Sequence, residues 1–261
     1  ILAVIFLAPI FIILFNSFKG KLYISDAPFK LPTAETFVGV QNYIDGLSKT
    51  GFLSAFGWSI FITFFSTIVI VLFTSMTGWY ITRAKNKVST ALYFIFVFSM
   101  IVPFQMVMFT MSKVANMLSL DNPIGLIVLY LGFGAGLSIF MFSGFVKSIP
   151  IDIEEAALID GCNPIKTFFL IVLPLLKPIC ITVAILNVMW IWNDYLLPSL
   201  VLKSDYKTIP MAVQYLRGGY GAIDMGAMMA VLVLAIIPII IFYLTCQKYI
   251  IEGVAAGAVK G

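Results

Sequence analysis

Histidine is missing from this chain of 261 residues. With it goes the one side chain whose ordinary pKa lies near neutrality, and also the commonest transition-metal ligand. Histidine-dependent catalysis is excluded, and no catalytic or metal-binding cluster is expected. Charge is nearly as scarce, with Asp, Glu, Lys and Arg making up 11% of the residues. The sixteen basic and twelve acidic residues fall in short clusters between long uncharged stretches, so no basic face exists to neutralise a nucleic acid. Three cysteines, Cys162, Cys180 and Cys246, stand too far apart for a C-x-x-C pair or a disulfide framework, and read as buried or membrane-facing thiols.

What remains is mostly hydrocarbon. A chain that is 61% hydrophobic, with mean hydropathy +1.07, cannot be a soluble globular domain. A spanning helix needs roughly 20 mainly apolar residues, and a charge at the bilayer centre costs several kcal/mol, so uncharged runs mark candidate spans. Six emerge, near residues 1–15, 56–81, 88–111, 123–146, 178–200 and 225–247. The expected fold is therefore all-α, a polytopic membrane protein of six transmembrane helices. The first run opens without Met or a basic cap, as expected of a chain whose natural start lies upstream. No small-residue cleavage pattern follows it, so a retained span is expected. With the N-terminus inside, eight Lys/Arg fall on each side of the membrane. The tie is broken by Arg83, Lys85 and Lys87, which crowd the shortest loop and place it in the cytoplasm. The loop at residues 147–177 and the tail from Lys248 then also face the cytosol.

That 147–177 loop is the most informative polar stretch. Ser148 is suited to cap a helix whose first turn holds Pro150, Asp152 and Glu154, all favoured at a helix N-terminus. Gly161 suits a left-handed C-cap, and Asn163-Pro164 restart a second helix. The result is an elbow lying on the membrane surface. Ala156 and Ala157 leave one face nearly flat, with Glu155 and Asp160 beside it. From these features alone, a docking surface and an ordinary amphipathic connector are equally good readings. Gly161 to Thr167 superficially suggests a phosphate-binding loop, but the second glycine before Lys166 is lacking.

The fifth run carries Asn187, Trp190, Trp192, Asn193, Asp194 and Tyr195, then Pro198. Either these residues form an interfacial aromatic belt, or aromatic faces and amide or carboxylate groups meet a sugar's C–H faces and hydroxyls. Gly132 and Gly136 make a G-x-x-x-G in the fourth run, with Gly134 between them, and point to close helix packing. Pro103 and Gln105 mark a kink or a cavity-facing group, and Pro238 reads as a kink.

Glu155-Ala156-Ala157, Asp160-Gly161 and Leu173-Pro174 resemble the E-A-A-x-x-x-G signature of membrane subunits of binding-protein-dependent ABC importers. Trp190 to Tyr195 with Pro198 resembles the W-N-[DE]-[FY]…P segment of the carbohydrate-importing branch. Phe37-Val-Gly39-Val-Gln-Asn42-Tyr43 resembles an F-x-G-x-x-N-Y element preceding the permease core. Thr208-Ile-Pro-Met with Gly218, Gly219, Tyr220, Gly221 and Asp224 is similar to the outer loop that meets the solute-binding protein. The end, from Gln247 to Gly261, is similar to that subfamily's terminal tail. The chain is thus identified as resembling a maltose-transporter-type sugar permease subunit.

The resemblance implies that residues 1–52 hold the first helix and outer loop, 53–247 the importer core with a coupling elbow between spans four and five, and 248–261 a cytoplasmic tail. It implies docking of an ATPase subunit on Glu154, Glu155, Ala156, Ala157, Asp160 and Gly161. It implies a substrate path along Asn187, Trp190, Asn193, Asp194 and Tyr195, and binding-protein contact at Gly218, Gly219 and Tyr220. The chain would be no enzyme and would bind no cofactor, with ATP and Mg held by partner subunits. Its partners would be a second, different permease subunit, two ATP-binding subunits, an extracytoplasmic solute-binding protein, a sugar and membrane lipid, in a bacterial inner (cytoplasmic) membrane. The alternatives are an importer permease for peptides, amino acids or phosphate, and an ion-coupled secondary transporter. The latter would be expected to carry inverted repeats and several intramembrane acids, where this sequence has only Asp194. A membrane-embedded enzyme would require paired carboxylates or a metal-ligand cluster in the spans, and the sequence has neither.

Overall fold

The computed structural model describes residues 2–216 and 224–258, with side chains given as far as Tyr249. Its helices are α1 (Leu2–Asn16), α2 (Lys21–Asp26), α3 (Gln41–Thr50), α4 (Phe52–Arg83), α5 (Lys87–Ser99), α6 (Phe104–Met117), α7 (Pro123–Val146), α8 (Asp152–Ile159), α9 (Pro164–Thr167), α10 (Leu173–Leu175), α11 (Lys177–Asn193), α12 (Leu196–Val201), α13 (Ile209–Tyr215) and α14 (Met225–Ala258). A π-helical turn, Phe168–Val172, joins α9 to α10. Among the described residues the β pairing is a single bridge between Lys19 and Phe37. The all-α expectation holds.

The six apolar runs all become helix, but not six uninterrupted crossings. Among the described residues, α4, α7 and α14 are the single helices long and apolar enough to span a bilayer. The run at 88–111 is split into α5 and α6, bent by 105°. Pro103 explains the break, because it lacks an N–H and disfavours helical backbone at Val102. The fifth run is also redrawn. Helix from Pro164 to Leu175 meets Lys177–Asn193 at 77°. Pro174 and Pro178 cannot donate to the carbonyls four residues before them, so the ladder is weakest there. α11 stops at Asn193 and not at residue 200. Asp194 accepts hydrogen bonds from the N–H groups of Leu196 and Leu197 at 2.9 and 3.4 Å, and so starts α12 afresh. The short α1, 15 residues, rises only about 22 Å. Pro238 lies inside α14 without ending it, and the helix runs on to Ala258, past the expected end at 247.

The chain divides into two compact units. In the first, made of residues 1–60 and 194–245, the F-x-G-x-x-N-Y element acts as a staple. Gly39 takes φ +60°. Asn42, buried, donates to the carbonyls of Ser17 and Lys19, both at 2.8 Å. The Tyr43 hydroxyl lies 2.7 Å from Ser17 Oγ, and Phe37 stacks on Phe18. A Cβ at Gly226 would collide with the Asn42 amide, so α14 passes close to α3 there. Lys49 Nζ bonds Asp224 at 2.6 Å. Burial works to raise the Asp224 pKa, but the Lys49 hydrogen bond and the N–H of Ala227 outweigh it and hold the carboxyl below its ordinary range. The Ile209 N–H donates to Ser59 Oγ at 2.8 Å and seats α13 on α4.

In the second unit, residues 61–193 and 246–261, α7 is the axis, with half of its most apolar window buried. Phe142, Val146, Ile149, Phe168, Val172, Leu176 and Val183 form a core linking α7, the elbow and α11. The glycines sort themselves by neighbour. At Gly136 a Cβ would stand 2.7 Å from the Phe96 carbonyl oxygen, and at Gly134 it would stand 2.9 Å from Ile70 Cδ1. Gly132 has nothing within 4 Å, so close packing runs through Gly134 and Gly136 and not through the expected Gly132–Gly136 pair.

Gly136→Ala is therefore expected to cost roughly 1–3 kcal/mol by forcing α5 away from α7, whereas Gly132→Ala is neutral. Thermal unfolding of the two variants in the same detergent checks the contrast.

Candidate functional site

The elbow is built from α8, α9 and the π turn. Its entry differs from expectation. The Ser148 hydroxyl donates to the Phe145 carbonyl at 2.7 Å and does not cap α8, whose N-cap is Ile151 without a side-chain bond. Two serine-derived functions compete here, and bonding back into α7 wins. The exit matches the sequence. Gly161 has φ +83°, and Asn163 Oδ1 accepts the Lys166 N–H at 2.9 Å with Pro164 in the first turn. That bond occupies the amide a phosphate would need, and the Thr167 hydroxyl is buried. The suggestion of a phosphate loop disappears for a geometric reason.

The six elbow residues divide between two faces. Glu155, Ala156, Asp160 and Gly161 are exposed, while Glu154 and Ala157 are each only 6% exposed. Glu154 is turned into the chain's own interior. Its Oε1 accepts from Arg83 Nε and Nη2 at 2.9 and 2.7 Å, and its Oε2 accepts from Trp79 Nε1 at 2.8 Å. Arg83 Nη2 also donates to the Ile149 carbonyl at 2.9 Å. The sequence grouped Glu154 with Glu155 as outward docking groups. A 100° step per residue separates them onto different faces, with Ala157 following Glu154 at i+3. Trp79 and Arg83 were not anticipated as elbow partners. A signal existed, since both lie one turn apart at the end of a long apolar helix, where an arginine seeks a counter-charge.

The path residues also separate. Asn187 is buried, donating to the Val183 carbonyl at 2.8 Å and lying 3.4 Å from Ser138 Oγ, so it bonds its own helix and α7. Trp190 is 40% exposed and meets the ring of Tyr130 edge-on, with centroids 5.3 Å apart. Asn193 is exposed, with its amide nitrogen bonded to the Met189 carbonyl at 2.7 Å. Leu186, Met189, Trp190 and Asn193, at i, i+3, i+4 and i+7, make one open stripe, while Val183, Asn187 and Ile191 make the covered one. Leu186 and Met189 were missed because an apolar residue in a membrane helix carries no facing information by itself. Asp194 and Tyr195 belong to the other unit, Asp194 bonded to the N–H groups of Leu196 and Leu197 and Tyr195, the N-cap of α12, at 40% exposure. Gly218, Gly219, Tyr220 and Gly221 lie outside the described residues, as do the side chains of the tail from residue 250.

Long apolar helices joined through an elbow of short helices fit a polytopic membrane protein. The sequence profile of the inner membrane component of binding-protein-dependent transport systems matches residues 70–255, and the chain belongs to that family. It is 40% identical to the probable starch degradation products transport system permease protein AmyC of Thermoanaerobacterium thermosulfurigenes, over all of this chain and 94% of that protein. It is 35% identical to the multiple sugar-binding transport system permease protein MsmG of Streptococcus mutans, over 98% of this chain and 93% of that one. It is 31% identical to the melibiose/raffinose/stachyose import permease protein MelC of Bacillus subtilis, over 97% and 91%. The fold is similar to that in the crystal structure of a bacterial ABC transporter involved in the import of the acidic polysaccharide alginate, with TM-score 0.80 at 23% identity, covering 95% of this chain and 92% of that one.

Arg83→Ala would leave the Glu154 carboxylate buried without its counter-charge, and about 3 kcal/mol of stability is expected to be lost. The midpoint of thermal unfolding of the purified protein in detergent measures it.

Proposed function

We infer that this chain is one pore half of an ATP-driven importer for a sugar or oligosaccharide in a bacterial inner membrane. Its α8 elbow is docked by an ATP-binding subunit on the cytosolic side. The observation that carries the reading is the elbow itself. An exposed helix face of Glu155, Ala156 and Asp160 is ended sharply by a left-handed Gly161, outside the apolar spans. Small side chains at Ala156 and Gly161 let a partner's backbone approach, and the two carboxylates offer it charge-assisted hydrogen bonds. Sugar as the cargo is supported by the names of the relatives and by the open stripe of α11. There Trp190 supplies an aromatic face and Asn193 an amide, the pairing a sugar's C–H faces and hydroxyls require.

The remaining parts follow from the same reading. A second, different permease subunit supplies the other half of the path, two ATP-binding subunits do the hydrolysis with Mg, and a solute-binding protein delivers the sugar from outside. Residues 1–52 serve as leading helix and outer loop, 53–247 as core and 248–261 as tail. The basic turn at Arg83, Lys85 and Lys87 lies on the cytosolic side with the elbow. ATP and sugar drive the switch between inward- and outward-open forms only by binding the two forms unequally.

Glu155→Lys, which reverses the charge on the exposed face, is expected to abolish solute-stimulated ATP hydrolysis by the assembled complex while membrane insertion is unchanged. Unaltered stimulation would remove the docking role. Trp190→Ala is expected to lower sugar uptake by about tenfold, the loss of roughly 1.4 kcal/mol of aromatic contact, with assembly intact. Equal uptake would return the residue to packing against Tyr130.

A further inference from the structure

We propose that Glu154 is a positioning residue that fastens the elbow to α4, so that any displacement of the elbow is delivered to α4 as one rigid piece. The inference rests on the elbow being the docked element, and it assigns Glu154 a role separate from docking.

Three observations converge on one turn of α4. Both carboxylate oxygens of Glu154 are engaged, Oε2 by the Trp79 indole N–H and Oε1 by two nitrogens of Arg83. Arg83 reaches past the carboxylate to the Ile149 carbonyl, so the segment leading into α8 is held by the same guanidinium. The other arm of the elbow meets the same indole from its own side. Phe168 is buried, and its ring lies 5.5 Å from that of Trp79. Both arms of the elbow are therefore anchored on Trp79, and the first is anchored on Arg83 as well.

The covalent route onward is less stiff. From α8 to α11 the chain passes a left-handed glycine, a π turn and a 77° bend. α4, in contrast, is one helix of 32 residues, about 48 Å long. A force on the exposed face of α8 meets a rigid connection into α4 and a jointed one into α11. The choice of an ion pair over apolar packing fits a registry role. Burying a carboxylate and a guanidinium contributes little net stability compared with well-packed hydrocarbon, but their hydrogen bonds specify one orientation.

The test uses the complete importer reconstituted with its ATP-binding subunits and binding protein, comparing the parent with Glu154→Gln, which keeps the size and one acceptor but loses the charge. Cys162, Cys180 and Cys246 are replaced by serine, and spin labels are placed at the exposed Tyr80 and Ile151. In the parent, the label separation is expected to be the same with and without trapped ATP. In Glu154→Gln it is expected to broaden and to change with nucleotide. Sugar uptake per ATP hydrolysed is expected to fall about tenfold, within the range by which single positions alter coupling, while the ATP-binding subunits still copurify and stimulation persists. An unchanged separation together with unchanged uptake per ATP in Glu154→Gln overturns the proposal. If Glu154→Gln does not assemble, Arg83→Lys, which keeps the charge but cannot bridge Glu154 and Ile149, is read in the same way. Glu155→Lys separates the two levels. Its failure to affect stimulation sinks the docked elbow, whereas a silent Glu154→Gln beside a disabled Glu155→Lys sinks only the fastening.

Discussion

In a hydrocarbon surrounding, a backbone amide that is not bonded within its own helix has no water to turn to, and each such group costs several kcal/mol. This constraint explains why the described chain is mostly helix, and it also gives weight to the places where helix fails. The breaks at Pro103, at Gly161, through the π turn and at Asp194 are each satisfied by a specific device. A proline has no amide to orphan, Asn163 and Asp194 supply side-chain acceptors, and the π turn rebonds its amides one residue further back. At each of these breaks the departure from helix is matched by one such device.

The elbow is the largest such departure, and its two faces have different chemistry for different reasons. The exposed side carries Glu155, Ala156 and Asp160 together with the apolar Ile153, Leu158 and Ile159. The inward face carries Glu154 and Ala157, one bonded to Arg83 and Trp79 and the other packed flat. A single short helix thus leaves the carboxylates of Glu155 and Asp160 exposed and ties that of Glu154 to its own scaffold. The neighbours Glu154 and Glu155 are a case in which adjacent identical residues have unlike surroundings because a helix turns them apart.

The exposed apolar side chains of the outer helices, such as Phe6, Phe94, Phe98 and Phe109, fit a molecule whose surroundings are lipid and other subunits. The open stripe of α11 has a different composition, with Trp190 and Asn193 among Leu186 and Met189. A polar amide on an otherwise hydrocarbon face is the feature that separates a candidate path from a lipid contact.

Composition alone determined that the chain enters a membrane, because 61% hydrophobic residues in uncharged runs admit no other solvent. Local chemistry was equally legible at Gly161, Asn163 and Pro164, where caps and positive φ depend on neighbours along the chain. What only the tertiary structure decided were the questions of facing and partnership. These include which of Gly132, Gly134 and Gly136 meets another helix, that Ser148 bonds backwards, and that Glu154 turns inward to Arg83 while Glu155 does not. The reason is physical. In a helix that is apolar all round, no amphipathic period marks the buried side, so the direction each residue faces is set by the helices beside it.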